Sequence, residues 1–172
     1  LVKAIVVMGV SGCGKTSVAE GLAAALGLEF VEGDRLHPAA NVEKMSRGIA
    51  LTDDDRWPWL DVIGGEIAAG VARGKGIVVS CSALRRTYRD RLRSAAGGPL
   101  AFVFLKGSRE LLLTRMQARK DHFMPVSLLD SQLATLEDPS GEPGVVTVDI
   151  AAPIAAIVTA AARGLQALDQ AR

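Results

Sequence analysis

The residues with the most chemical content lie near the start of the chain: Gly9, Val10, Ser11, Gly12, Cys13, Gly14, Lys15 and Thr16. Their spacing, G-x-x-x-x-G-K-T, is that of a phosphate-cradling loop. Glycines let backbone N–H groups turn inward and form a concave nest for phosphate oxygens. Lys15 is placed to reach the outer phosphates of a nucleoside triphosphate, and the Thr16 hydroxyl is the candidate ligand of Mg2+. The order G-x-x-G-x-G differs from the dinucleotide fingerprint. The loop specifies a phosphate donor and leaves the acceptor open.

Other residues supply candidates for the acceptor side. Asp34 follows a buried run beside Gly33. A carboxylate there can orient an acceptor hydroxyl and take its proton, whereas a plain turn aspartate is the alternative. His37, Lys44 and Arg56 fall in a polar segment that either reads an anionic substrate or is simply solvated. Ser82 ends another apolar run, and Arg85, Arg86 and Arg89 follow it; one of these arginines could clamp a carboxylate or phosphate. Arg115 and Arg119 stand one helical turn apart at the start of a charge-dense stretch that also holds His122. Such a stretch suits a lid that brings cations to a transferring phosphoryl group, or an ordinary charged surface. Asp53-Asp54-Asp55 reads as a helix start, and Trp57 and Trp59 as packing anchors. Asp149 is set aside because it ends the last strand, far from the loop.

These groups need a scaffold. Val2 to Met8 is a continuous apolar run, as in a strand buried on both faces. Further strands are expected at Leu28 to Val31, Gly76 to Cys81, Leu100 to Leu105 and Val145 to Val148. Helical patterns cover Lys15 to Leu26, a short stretch after Pro38, Thr52 to about Gly74, Leu84 to Ser94, Ser108 to about Met116 and Ser127 to Leu136. The last helix carries Ile154, Ile157, Val158, Ala161, Leu165 and Leu168 along one side. Strands alternating with helices predict an α/β fold, a mostly parallel sheet with helices on both faces. Ligands then sit beyond the carboxyl ends of the strands, where Asp34 and Ser82 fall.

The 172 residues fit one domain, 1–172, with a substrate segment around 34–60 and a lid around 115–126. Twenty basic against nineteen acidic residues give no global attraction to nucleic acid or to a membrane surface. The two cysteines, Cys13 and Cys81, form no disulfide framework or metal signature and fit a reducing, cytoplasmic setting. No apolar stretch reaches the ~20 residues that a membrane span needs.

Over nearly its whole length the chain resembles gluconokinases of the phosphate-loop type. Five blocks carry the resemblance: Met8 to Thr16; Gly33-Asp34 with His37-Pro38, Asn41 and Lys44-Met45; Leu51 with Asp53 to Arg56 and Pro58-Trp59-Leu60; Cys81 to Leu84 with Tyr88-Arg89-Asp90; and Ala118-Arg119-Lys120 with His122-Phe123-Met124, Leu128-Leu129 and Ser131-Gln132. The first block is shared by many kinases, whereas the other four in this order are specific. The resemblance implies ATP- and Mg2+-dependent phosphorylation of D-gluconate on its 6-hydroxyl. It also implies a nucleoside-monophosphate-kinase-like three-layer fold with a five-stranded parallel sheet in the order 2-3-1-4-5. Asp34 becomes the base; His37, Arg56, Ser82 and Arg86 surround gluconate; Arg115, Arg119 and His122 lie in or beside the lid. Such enzymes often form homodimers, although no apolar stripe is left over for an interface. Departures from the pattern are Cys13 for serine, Ala50 for proline, Thr52 for asparagine, Arg85 for lysine and Leu133 for an aromatic. The competing readings are a shikimate or nucleoside-monophosphate kinase and a nucleotide-dependent switch. The segment Asp34 to Trp59 lacks the pattern of the first, and a single asparagine cannot spell the guanine-reading motif of the second.

Overall fold

Five short strands build the sheet, three of them dominated by β-branched residues. The computed structural model describes residues 2–118 and 126–171. Strand β1 (Ala4–Met8) is buried at every position and pairs in parallel with β3 (Ile77–Ser80) on one side and β4 (Ala101–Lys106) on the other. β2 (Glu29–Glu32) and β5 (Val145–Asp149) complete a parallel sheet in the order β2-β3-β1-β4-β5, as expected. Because all five strands run the same way, their carboxyl ends share one rim, where Met8, Glu32, Ser80 and Lys106 hand the chain to loops.

Helices cover both faces. α1 (Lys15–Leu26) starts directly from the glycine loop, with Gly14 at φ 88° and Gly27 at φ 68° closing it. α2 (Ala39–Ser46) begins after Pro38, and a 3-10 turn at Gly33–Leu36 precedes it. α3 (Asp53–Ala72) opens with a reciprocal cap: Thr52 Oγ1 accepts from Asp55 N at 3.2 Å, and Asp55 Oδ2 accepts from Thr52 N at 2.9 Å. α4 (Arg86–Ala96), α5 (Arg109–Ala118), α6 (Val126–Thr135) and α7 (Ile154–Gln170) follow. Among the described residues, no helix is long and apolar enough to cross a membrane.

Boundaries move where tertiary contacts override local pattern. Helix α4 starts at Arg86 rather than Leu84. Ala83 sits at φ 46°, Arg85 is extended, and the Arg86 N–H donates to Glu137 Oε1 at 3.0 Å. Its Arg89 is fully buried, although most arginines stay at the surface. Arg89 grips Glu142 through two bonds of 3.1 and 2.6 Å and donates to the carbonyls of Ala83 and Glu137. That clamp fastens the loop after β3 to the segment after α6. A buried guanidinium needs such complete satisfaction.

Candidate active site

The glycine loop is pinned from beneath. A Cβ on Gly9 would fall 2.7 Å from Cys13 Sγ, and one on Gly12 would fall 2.9 Å from the Leu112 carbonyl. No side chain fits at either place, so the cradle stays open and α5 packs straight onto it. Cys13 and Cys81 are fully buried, and burial raises both thiol pKa values, Cys81 to about 12. Neither is a nucleophile at neutral pH.

Beside the loop lies a crevice of about 380 Å3. Ser11 and Lys15 form its donor end, and Asp34, His37, Arg56 and Ser82 form its far walls. Asp34 reaches it on the 3-10 turn, whose first residue is held hard against β3. A Cβ on Gly33 would lie 2.2 Å from the Ser80 carbonyl, and Trp59 Nε1–H donates to the Gly33 carbonyl at 2.8 Å. Trp59 is therefore a packing anchor that also shapes the crevice wall.

His37 stacks on Trp59 with ring centroids 3.8 Å apart. Its Nδ1 accepts from Asn41 Nδ2 at 3.2 Å, which leaves the ring proton on Nε2. Burial lowers its pKa to about 4; Arg56 adds to the effect and Asp34 opposes it. The ring is thus neutral at pH 7 and offers one N–H. Arg56 is held by the Leu51 carbonyl at 2.7 Å and the Tyr88 hydroxyl at 2.9 Å, and Tyr88 in turn bonds Asp53. Acidic helix start and arginine thus belong to one network.

Three expected residues do not line this crevice. Lys44 is committed to Asp55 Oδ2 at 2.7 Å and does not line the crevice. This contact is the main reason that the Asp55 pKa falls to about 2. Arg86 faces a separate hollow with Glu137 and Glu142, because the late start of α4 points it away from Ser82. Arg115 donates to the carbonyls of Ile150 and Ala152, at the junction of β5 and α7. Arg119, His122 and most of the lid segment lie outside the described residues.

Four contributors were given no role in the site by the sequence reading, although Asn41, Trp59 and Gln132 stand in blocks of the resemblance. Glu32 accepts from the Thr16 hydroxyl at 3.0 Å, so a carboxylate stands beside the candidate Mg2+ ligand. Its only signal was a place at the end of a strand. Asn41 is buried and bridges His37 to the Asp55 carbonyl. Trp59 carries His37. Gln132, from α6, accepts from the Ser11 N–H at 2.7 Å. Among the described residues there is no cluster of three metal-ligating side chains. The oxygen pair Thr16 and Glu32 instead fits Mg2+, which is commonly held by one or two protein oxygens together with substrate phosphates.

Comparison with known proteins agrees with this geometry. A family described as an AAA domain matches residues 5–139. A gluconokinase of Gluconobacter oxydans (strain 621H) is 54% identical over 144 residues, spanning 84% of this chain and 80% of that protein. The thermoresistant gluconokinase of Escherichia coli (strain K12) is 43% identical over 155 residues, 89% of this chain and 87% of the relative. The crystal structure of a gluconokinase from Sinorhizobium meliloti 1021 superposes with a TM-score of 0.90 at 58% identity, covering 97% of this chain and 93% of that one. Likeness of this depth, running from the loop through both walls of the crevice, is membership rather than shared architecture: the chain belongs to the gluconokinase family and is a kinase that phosphorylates an alcohol group.

Proposed function

We propose that the protein transfers the terminal phosphoryl group of ATP to the 6-hydroxyl of D-gluconate, giving 6-phospho-D-gluconate and ADP. The observation that carries this reading is the shared crevice: Ser11 and Lys15 of the phosphate loop open onto the same cavity as Asp34, His37 and Arg56. The loop amides and Lys15 hold the phosphates. Thr16 and Glu32 would hold Mg2+, which neutralises charge on the phosphate oxygens when bound. Asp34 orients the acceptor hydroxyl and takes its proton as the oxygen–phosphorus bond forms and the bond to ADP breaks. Arg56 supports a carboxylate by charge, and neutral His37 donates one hydrogen bond to a hydroxyl. In this reading residues 1–172 act as one catalytic domain, with 34–60 as its acceptor side and 115–126, including Arg119 and His122, as its lid.

The test is a coupled ADP-release assay across gluconate, shikimate and nucleoside monophosphates. Turnover with gluconate alone is expected; turnover with another acceptor but not gluconate overturns the substrate. Asp34→Asn should lower kcat by at least ~10²-fold while ATP affinity holds. Near-normal turnover removes Asp34 from the role of base.

A further inference from the structure

Where the crevice meets the phosphate loop, it touches Ser11 and Lys15. A phosphoryl group passing from donor to acceptor must cross there. Among the described residues, Gln132 reaches the loop at this junction from outside it, its Oε1 accepting from Ser11 N. An N–H can only donate, so the amide oxygen faces Ser11 and the orientation of the amide is set. The NH2 group of Gln132 has no hydrogen-bond partner among the described residues, and the side chain lines the crevice.

Gln132 is also held rigidly. Leu128 and Leu129, on the same helix, are buried in or against the core. Just past the helix, Glu137 N–H donates to the Leu84 carbonyl at 2.8 Å, and Arg89 donates to the Glu137 carbonyl at 3.0 Å. The helix is thus fastened to the loop that carries Ser82, and the glutamine arrives at the junction pre-positioned.

We infer that Gln132 is a further substrate-binding residue: fixed by Ser11, it presents its NH2 group to an oxygen of the acceptor beside the point of transfer. Acceptors with several hydroxyls and a carboxylate offer only oxygens on that side, and an oriented amide N–H2 is a matched donor. A hydrogen bond made to a bound substrate and left unreplaced after mutation costs about tenfold in affinity or in kcat/KM. The inference rests on the kinase reading above, so wild-type turnover is measured first. Its absence with every sugar acid counts against that reading and removes the ground for this one.

The experiment compares Gln132→Glu and Gln132→Met with the wild type. Glutamate keeps an oxygen for the Ser11 N–H and loses the NH2 group; methionine keeps the length and loses both. Gluconate KM, kcat and the Kd of ADP are measured for each. The expected result is a drop of about tenfold or more in kcat/KM for gluconate in both variants, with the ADP Kd of Gln132→Met within about twofold of wild type. Wild-type kcat/KM in Gln132→Glu would mean that only the Ser11 bond matters and would overturn the inference. So would a loss of ADP affinity in Gln132→Met with gluconate kinetics unchanged. Circular dichroism and thermal melting of both variants establish folding; if either variant misfolds, Gln132→Leu replaces it under the same criteria.

Discussion

His37 is positioned to resist protonation, and that resistance is measurable. Its ring lies flat on Trp59, its Nδ1 faces the NH2 group of Asn41, and Arg56 is close by. A second proton would have to enter at Nδ1, against the hydrogens of Asn41, in a half-buried place. The folded pKa is about 4 against an ordinary 6.5. Above pH 6.5 the ring is neutral in both folded and unfolded chains, and this contribution to stability is complete. Between pH 6.5 and 4 the unfolded chain binds the extra proton and the folded chain does not. Stability therefore falls as pH falls, by at most ~3 kcal/mol for the full shift and by less once solvent screening at this half-buried place is counted. The assay is urea unfolding at half-unit steps from pH 7.5 to 4.5, comparing the wild type with His37→Gln. Carboxylate titration is common to both, so the difference isolates the imidazole. The wild type should lose up to ~1.4 kcal/mol per pH unit more than the variant in the steep part of the window. The chain has two histidines, so NMR of the imidazole protons provides an independent reading, with His37→Gln assigning the resonance. A His37 resonance that titrates near 6.5, or parallel stability curves, would refute the argument that burial and the Asn41 contact keep the ring neutral.

Other consequences are as concrete. Glu32→Gln should raise the Mg2+ concentration needed for half-maximal turnover by about tenfold, because the carboxylate beside the Thr16 hydroxyl is lost; an unchanged Mg2+ titration would exclude Glu32 from the metal's surroundings. Gly64→Ala places a Cβ 2.2 Å from that of Ala95, so α3 and α4 must separate. A cost of ~1–3 kcal/mol in urea unfolding is expected, and wild-type stability would show that the helices part freely. Arg89→Met strips donors from the carbonyls of Ala83 and Glu137 while Arg93 stays on Glu142 at 3.2 Å, so a loss of ~3 kcal/mol is expected. Full stability in that variant would mean that the clamp is replaceable by apolar packing.

Local rules made the scaffold and the donor side readable. The G-x-x-x-x-G-K-T spacing follows from backbone geometry within eight residues, and buried strands announce themselves as apolar runs such as Ala4–Met8. The place of Asp34 on the crevice was readable because it follows a strand in a parallel sheet. The residues that escaped reading owe their roles to distant partners. Glu32 matters through Thr16, and Gln132 through Ser11, 121 positions away in the chain. Lys44 and Arg86 show the converse. Charge composition made them candidates, but Asp55 captured one, and the Glu137 contact rotated the start of the other's helix. No periodicity in a basic segment distinguishes a guanidinium aimed at a substrate from Arg89, buried in a structural clamp.

The Arg89 clamp also bears on the order in which the enzyme comes into being. Its partners Arg89 and Glu142 are 53 residues apart, and the segment between them contains β4, α5 and α6. Closing so long a loop is entropically costly before its contacts form, so this joint belongs among the later events of folding. The phosphate loop depends on the same segment: α5 packs onto Gly12, and Gln132 of α6 accepts from the Ser11 N–H. The loop and the wall carrying Ser82 and Gln132 are therefore completed by the same stretch of chain. Donor and acceptor sides thus share one late-closing joint, and competence for transfer depends on the last third of the chain.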